Sequence, residues 1–541
     1  MQNRPRMGKT TTGKECSNEM TDVFLSYRRE TGSEFCSFLS LVLKQEGYDV
    51  FFDHTSMRQG PFDTQIDNAI AECTFLLAVL APRDLDRCVS DPEHDWILHE
   101  VGLAQSLGKI VIPVVFKAGF QFPDDAGIEV LKELSRETLC DLSGPDAATL
   151  IRTRLFEFMQ DSPASRVRDE YNCGLLQESY QEWELQTLQT IYSDFPFIHM
   201  AGKTYPVTVI EGSDKVQYPF SDLTKPENLA ERTAAIAYQE SDLYRDFRKI
   251  VGPNIHFPDL YGFANEGLLL DASGKIEGFR ARPRTYKETV YTSHILHYEL
   301  WRAFQRLGKD HPATLDDLPL RKRIHAGQTN QEVLLSGKNR SCLCDVSIAT
   351  VAYDSIEDDY DIAIATRSTH VACHPGYLSI VPSGGFELYE LETKQDNYNI
   401  SSNFKIISAL FREYIEELFG DTAFEQPTGD DDLRRLYRNE HIKALRKGMG
   451  STCFFEFLGV TFDLTSLRPT FAFLLRIDDP DFLYDNQIRK NSENSDLRFV
   501  SLSRFEDAVR ESRRTSPLMP ESAGVYGLLK QSPLFREIRE R

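Results

Sequence analysis

Two sets of residues in this chain have types and spacings that can do chemistry. The first is Trp96 and Glu100. A spacing of four puts both side chains on one face of a helix, away from Ile97, Val101 and Ala104, which would face a core. An ionised carboxylate there can stabilise a positive charge that develops during bond cleavage. The indole offers a flat surface for a base or a cationic ring. Arg28 and Arg29, at the end of an apolar run, can grip an anionic group, bidentately where geometry permits. The second set is Glu413, Glu416 and Glu417, again neighbours on one helical face. Three carboxylates so close repel one another unless a cation sits among them, and an all-oxygen donor set suits Mg²⁺ or Mn²⁺. The plainer alternatives are a core tryptophan beside a solvated glutamate, arginines on a protein-docking surface, and a solvated acidic helix end.

These residues need a frame. Residues 1–20 are polar and patternless and read as a flexible lead. From residue 21, apolar strands alternate with helical patterns, the signature of a parallel α/β layer. Strands are expected over Asp22–Tyr27, Tyr48–Phe52, Thr74–Leu80 and Ile110–Phe116. Helices are expected over Ser33–Glu46, Asp63–Glu72, Asp95–Leu107 and Asp146–Met159. Ligands of such sheets bind outside the carboxyl ends of the strands, which puts Ser26–Arg29 and Asp53 at the working edge. Residues 161–340 give a mixed signal with no assigned role. Helices are expected near Leu175–Tyr192 and Thr292–Leu307, and short strands at Tyr205–Ile210 and Gly267–Leu270. The basic island Arg321–His325 reads as a connection. Residues 341–541 return to strands (Asp345–Tyr353, Asp361–Thr366, Tyr377–Val381, Thr452–Phe462, Thr470–Ile477, Leu497–Leu502) around a helix from Asn403 to Leu418. The expected fold class is therefore α/β: a parallel-sheet N-terminal domain over 21–160, a mixed middle region, and a second α/β/α domain over 341–541.

Composition narrows the function. The 541 residues include 41% hydrophobic side chains, enough for proper cores, and carry a formal charge of −22. A chain this acidic lacks the basic stripe that follows phosphate backbones, which argues against nucleic acid as the main partner. No apolar run approaches the ~20 residues that span a bilayer, and the opening MQNRPRMGKTTTGKE has no apolar stretch after it, so neither a membrane nor a secretory signal is expected. Ten scattered cysteines form no zinc-spaced pairs. Cys342 and Cys344, with His370, Cys373 and His374, read as structural thiols and surface histidines. A cytoplasmic location is expected.

Asp22–Glu30 (DVFLSYRRE), the loop HTSMRQGPF after Asp53, and LDRC…DWILHE together resemble a TIR domain of the NAD-cleaving kind, over 21–160. That resemblance implies a flavodoxin-like fold and an NAD+ glycohydrolase or cyclase that releases nicotinamide. It makes NAD+ a substrate rather than a cofactor. It assigns Glu100 the catalytic role and Tyr27, Arg28, Arg29, Phe62 and Trp96 the substrate site, and it implies self-assembly through TIR domains and a part in bacterial antiviral immunity. Arg58 departs from the pattern, a cation where relatives carry an acid. GYLSIVPSGGFELYE and FREYIEELFG resemble a Nudix box, with IATRS before it and RFVSLSRFEDAV after it. This implies Gly384, Glu390, Arg412, Glu413, Glu416 and Glu417 as box residues. In a working hydrolase the metal ligands would be Glu413, Glu416 and Glu417, holding Mg²⁺ or Mn²⁺. Twenty-one residues separate Glu390 from Arg412, far more than the box has, and Phe419 stands where it closes on Gly. The second domain is therefore either a hydrolase or a sensor of an ADP-ribose-like nucleotide. Two other classes remain open: a non-catalytic TIR adaptor, and a Nudix hydrolase recruited through its TIR domain.

Overall fold

Five short strands in the N-terminal third of the computed structural model lie side by side in one parallel sheet: β1 (Val23–Tyr27), β2 (Val50–Phe51), β3 (Phe75–Leu80), β4 (Ile110–Val115) and β5 (Cys140–Asp141). Their order is β2-β1-β3-β4-β5, the flavodoxin-like winding. Every residue of β3 is buried because helices cover both faces. These are α1 (Arg29–Gln45), α2 (Phe62–Glu72), α3 (Asp86–Ser90), α4 (Trp96–Ser106) and α5 (Glu129–Leu134). Leu39 and Leu43 of α1 pack with Val23, Leu25 and Leu77 on one face. Ile70 of α2 and Ile97 and Val101 of α4 pack with Phe24, Leu76 and Ala78 on the other. The expected elements of this region are present with ends shifted by a few residues. The short α3, α5 and β5 carry no sequence signal, since two to six residues leave no readable period.

The structure describes residues 22–540 except 46–47, 49, 53–61, 124–126, 145–146, 161–169, 234–235, 237–240, 252–260, 368–373, 375, 389–396, 422–431, 485–495 and 514–515. The chain divides into two units, one through residue 166 and one over 167–251 and 257–541.

In the second unit, β6 (Ile198–Met200) and β7 (Lys203–Tyr205) form a small hairpin, and β9 (Tyr261–Leu270) and β10 (Ile276–Thr285) a long one. Eight further strands make one mixed sheet: β8 (Val207–Glu211), β11 (Asp345–Asp354), β12 (Asp359–Thr366), β13 (Leu378–Ile380), β14 (Ser383–Gly385), β15 (Cys453–Asp463), β16 (Arg468–Ile477) and β17 (Arg498–Ser501). The main path runs β13-β12-β11-β16-β15-β8, with β14 beside β11 and β17 beside β12. Among the described strands of this sheet only β11 and β16 pair in parallel. Around it lie α6 (Glu178–Ile191), α7 (Ile295–Leu307), α8 (Pro319–His325), α9 (Ile406–Phe419) and α10 (Pro520–Leu529). Ala472 and Leu474 of β16 share a core with Ala523 and Leu528 of α10. By strand alternation Phe471 and Phe473 point the other way, against Phe279 and Phe220 at ring-centroid distances of 4.7 and 4.9 Å. The second face is thus covered by β10 and by the turn that carries Phe220. Gly524 brings α10 down onto the sheet, because a Cβ there would stand 2.8 Å from Thr461 Cγ2.

Two points bear on the middle of the chain. Residues 170–251 fall in the same unit as 341–541, and β8 pairs with β15 through Val460–Ile210 and Thr461–Val209, covering an edge that would otherwise expose unpaired backbone. The Arg321–His325 island is not a connection but most of α8, and Arg321 is fully buried. Its guanidinium donates to Tyr192 Oη at 2.9 Å and to the Leu464 carbonyl at 2.8 Å. Glu299 of α7 accepts from the amides of Leu320 and Arg321, filling the donor-rich N-terminus of α8. Burial pushes the Glu299 carboxyl up to about 7 despite the nearby Arg321. The folded protein therefore keeps this proton to higher pH than the unfolded chain, whose value is 4.5. The stability it contributes is full below that value and is lost as the pH rises through 7. The Tm advantage of wild type over Glu299→Gln should accordingly be largest near pH 5 and shrink toward pH 8. A constant offset across a calorimetric pH series would contradict this.

Candidate active site

β1 and β3 are neighbours at the point where the strand order of the first unit reverses, and the crevice between their carboxyl ends is where such sheets take ligands. Arg28 directly follows β1. Its Nε donates to the Asp84 carbonyl at 2.9 Å, just beyond β3. Its Nη2 donates to the Asp95 carboxylate and lies 3.6 Å from Cys88 Sγ. Asp84 in turn accepts from Thr31 Oγ1 at 2.8 Å and from the Ala81 amide at 2.7 Å, and burial raises its carboxyl above the usual range. Asp95 is the N-cap of α4, accepting from the Leu98 amide at 3.0 Å. The Cys88 thiol, pushed up to about 12 by burial and by Asp95, stays protonated and donates to the same carboxylate at 3.2 Å.

This cap starts the helix that carries the Trp/Glu pair. Ile97, Val101 and Ala104 face the core as expected. Trp96 is 42% exposed and Glu100 only 9%, so neither a core tryptophan nor a solvated glutamate describes them. The indole stands edge-on to His99 at 5.7 Å, and His99 meets Asp67 of α2 at 3.0 Å. Tyr27 packs on Phe52 at 5.4 Å. Arg29 opens α1 on the surface, and Phe62 opens α2. The Phe62 side chain, Asp53 and Arg58 lie outside the described residues. Sequence reasoning misses Asp84, Cys88 and Asp95 as parts of the site. The signal for Asp95 is present, since an Asp just before a helical pattern marks an N-cap, but periodicity alone places it inside the helix.

In the second unit the glutamates of α9 are not a solvated face. Among Ile406–Leu418 every residue except Glu416 is buried. Arg412 sits among the acids: Nη1 donates to Glu387 at 2.9 Å, Nη2 to Glu413 at 2.6 Å and to the Gly385 carbonyl at 2.7 Å, and Nε lies 3.7 Å from Glu416. Glu417 accepts from the Ser383 amide at 2.6 Å. Gly384 lies flat against Glu413, where a Cβ would stand 2.1 Å from the carboxylate. The carboxylates are thus compensated by a guanidinium and a backbone N–H. Among the described residues no three His, Cys, Asp or Glu side chains are grouped to hold a metal; of the expected ligands, Glu413 and Glu416 face Arg412 and Glu417 the Ser383 amide. Glu390 lies outside the described residues. The acid that reaches Arg412 from the glycine segment is Glu387, placed by the Gly262–Glu387 bridge to β9, a pairing no local pattern announces. His374 is not a surface histidine either. It is buried, its ring 5.1 Å from that of His297, and desolvation lowers it to about 3. Cys342 and Cys344 are buried thiols.

The TIR domain family model matches residues 23–152. That span covers the whole crevice, from β1 through α4 to the closing helix. Residues 23–152 are a TIR domain. It is similar to the NAD(+) hydrolase tir-1 of Caenorhabditis elegans, 36% identical over 107 residues, covering 20% of this chain and 11% of that protein. It is also similar to the NAD(+) hydrolase sarm1 of Drosophila melanogaster, 32% identical over 115 residues, covering 21% and 8%. The chain spans only about a tenth of the length of these relatives. A Listeria monocytogenes chain described as a NUDIX hydrolase aligns with 36% of this chain and 94% of its own length, at 14% identity. Its TM-score of 0.18 is too low to establish a shared fold. No described helix is long and apolar enough to cross a membrane.

The glycine segment yields a test independent of activity. Gly384→Ala should force Glu413 away from Arg412 and destabilise the second unit by about 1–3 kcal/mol, the usual cost of overpacking. An unchanged denaturant midpoint would show that the Glu413 carboxylate is not fixed there.

Proposed function

We propose that the TIR domain cleaves the nicotinamide–ribose bond of NAD+, with Glu100 as the catalytic carboxylate. The single observation that supports this reading is a buried glutamate one helical turn from an exposed indole, in a TIR domain similar to two NAD(+) hydrolases. As the bond breaks, nicotinamide leaves with the electron pair and the ribose gains oxocarbenium character. Glu100, buried beside the indole, is the group that stabilises that charge in its carboxylate form, and Trp96 provides a face for the departing ring. Water then adds to the sugar carbon, so that NAD+ and H₂O give nicotinamide, ADP-ribose and a proton; attack by the adenine instead gives a cyclic product. Tyr27, Arg29 and Phe62 complete the substrate site in this reading.

The second unit is read as a Nudix-like sensor of a nucleoside diphosphate such as ADP-ribose. Arg412, already neutralising the glutamates, supports binding without metal-assisted hydrolysis. Self-association of TIR domains is read as the switch, in a cytoplasmic protein whose NAD+ depletion serves immunity.

Chromatography of NAD+ incubated with the full chain tests the central claim. Wild type should release nicotinamide, with activity per molecule rising with protein concentration. Glu100→Gln should lower kcat by about 10²–10³-fold, the scale of losing one well-placed electrostatic group. Undiminished release by that variant overturns the proposal. For the second unit, calorimetry should give the same ADP-ribose binding in Mg²⁺ as in EDTA. Formation of AMP in Mg²⁺ would make it a hydrolase instead.

A further inference from the structure

Arg28 stands at a strand end beside a proposed dinucleotide site, where a guanidinium ordinarily grips phosphate. Its surroundings point elsewhere. Only 13% of the side chain is exposed, and both Nε and Nη2 are committed to protein groups. The Asp95 side chain is fully buried. A buried carboxylate without a cation is strongly destabilising, and removing its partner leaves an uncompensated charge. Asp95 therefore needs Arg28, and α4 needs Asp95. The Asp95 carboxylate holds the Leu98 amide in the first turn, and its backbone (φ −97°, ψ 116°) sets the direction in which Trp96 starts the helix. Cys88 closes the triangle, its sulfur 3.2 Å from Asp95 and 3.6 Å from Arg28. The same arginine is referenced to the sheet through the Asp84 carbonyl, and Asp84 is held by Thr31 of α1. The chain of contacts runs from the ends of β1 and β3 to the helix start, with Glu100 five residues beyond the cap.

We infer that Arg28 is a positioning residue: through the buried Asp95 cap it fixes α4, and with it Trp96 and Glu100, against the carboxyl edge of the sheet. This rests on the proposed NAD+ cleavage for its catalytic consequence, though not for its structural one. Catalysis by a fixed carboxylate tolerates displacements of only about 0.5 Å, so loosening the cap lowers turnover while substrate binding by other residues persists. An arginine that grips substrate behaves oppositely, since its loss raises KM and leaves kcat.

The test uses Arg28→Lys and Asp95→Asn in the full chain. Lysine keeps the charge but not the fork that reaches three acceptors at once. Asparagine keeps a capping oxygen but removes the anion, so this second variant leaves no buried unpaired carboxylate, while the partly exposed Arg28 keeps the Asp84 carbonyl. Both should lower kcat for NAD+ cleavage by about 10–100-fold with KM within about twofold. The double variant should be no worse than the weaker single one, as expected for one shared contact. Hydrogen exchange followed by mass spectrometry should show faster exchange across residues 96–106 in both variants and none across 75–80. A raised KM with unchanged kcat in Arg28→Lys, and normal kinetics in Asp95→Asn, would overturn the inference and return Arg28 to the substrate. Unchanged exchange over α4 in both would overturn it as well. If wild type releases no nicotinamide the cleavage reading fails, and the exchange result alone decides the inference.

Discussion

The first unit depends on one buried ion pair. A parallel sheet covered on both faces leaves its strand ends as loops, and loops alone do not hold a helix start in register with a crevice. Arg28 and Asp95 solve this with the arginine fixed to the sheet edge and the aspartate fixed to the helix. The low dielectric of the site makes the attraction strong and makes either partner alone costly. With its start held in this way, α4 reverses the usual order of burial, the indole standing out and the carboxylate in. Desolvation of Glu100 by its neighbours is what would let a single negative charge act strongly on a developing cation.

The second unit meets a related problem with the opposite outcome. Three glutamates and Glu387 converge beneath a glycine segment, and a guanidinium enters among them. A divalent cation and an arginine answer the same electrostatic need, but they are not interchangeable in function. The arginine fixes the carboxylates through directional bonds, whereas a divalent cation would hold them by charge and coordination. Gly384 permits this packing because it presents no Cβ to Glu413. The same aversion to bare buried charge recurs where Arg321 is surrounded by oxygen acceptors.

Much of the frame is legible in the chain. Strong apolar runs such as Phe75–Leu80 and Phe471–Ile477 announce strands because burial on both faces leaves little room for polar residues. Helix α4 is legible from Ile97, Val101 and Ala104, whose spacing admits one buried stripe. Less legible are Asp86–Ser90 and Glu129–Leu134, too short for a period to emerge, and the β9–β10 hairpin, where Arg280 and Arg282 interrupt the apolar pattern. Helix α10 escapes a sequence reading because it is buried nearly all round, so it lacks the polar face by which helices are recognised.

The sequence by itself determined the helices and helical faces that the candidate residues occupy, since residue type and spacing are local properties. It determined Trp96 and Glu100 as a pair, and the glutamates of α9 as a row. Only the tertiary structure decided their surroundings: that Arg28 turns to Asp95, that Glu387 meets Arg412, and that β8 belongs to the sheet of β15. Each joins residues far apart in the chain, from 25 positions for Arg412–Glu387 and 67 for Arg28–Asp95 to about 250 for the Ile210–Val460 pair of β8 and β15. Such pairings are chosen by the cost of leaving a buried charge or a strand edge unpaired, and that cost arises only once the chain has closed around them.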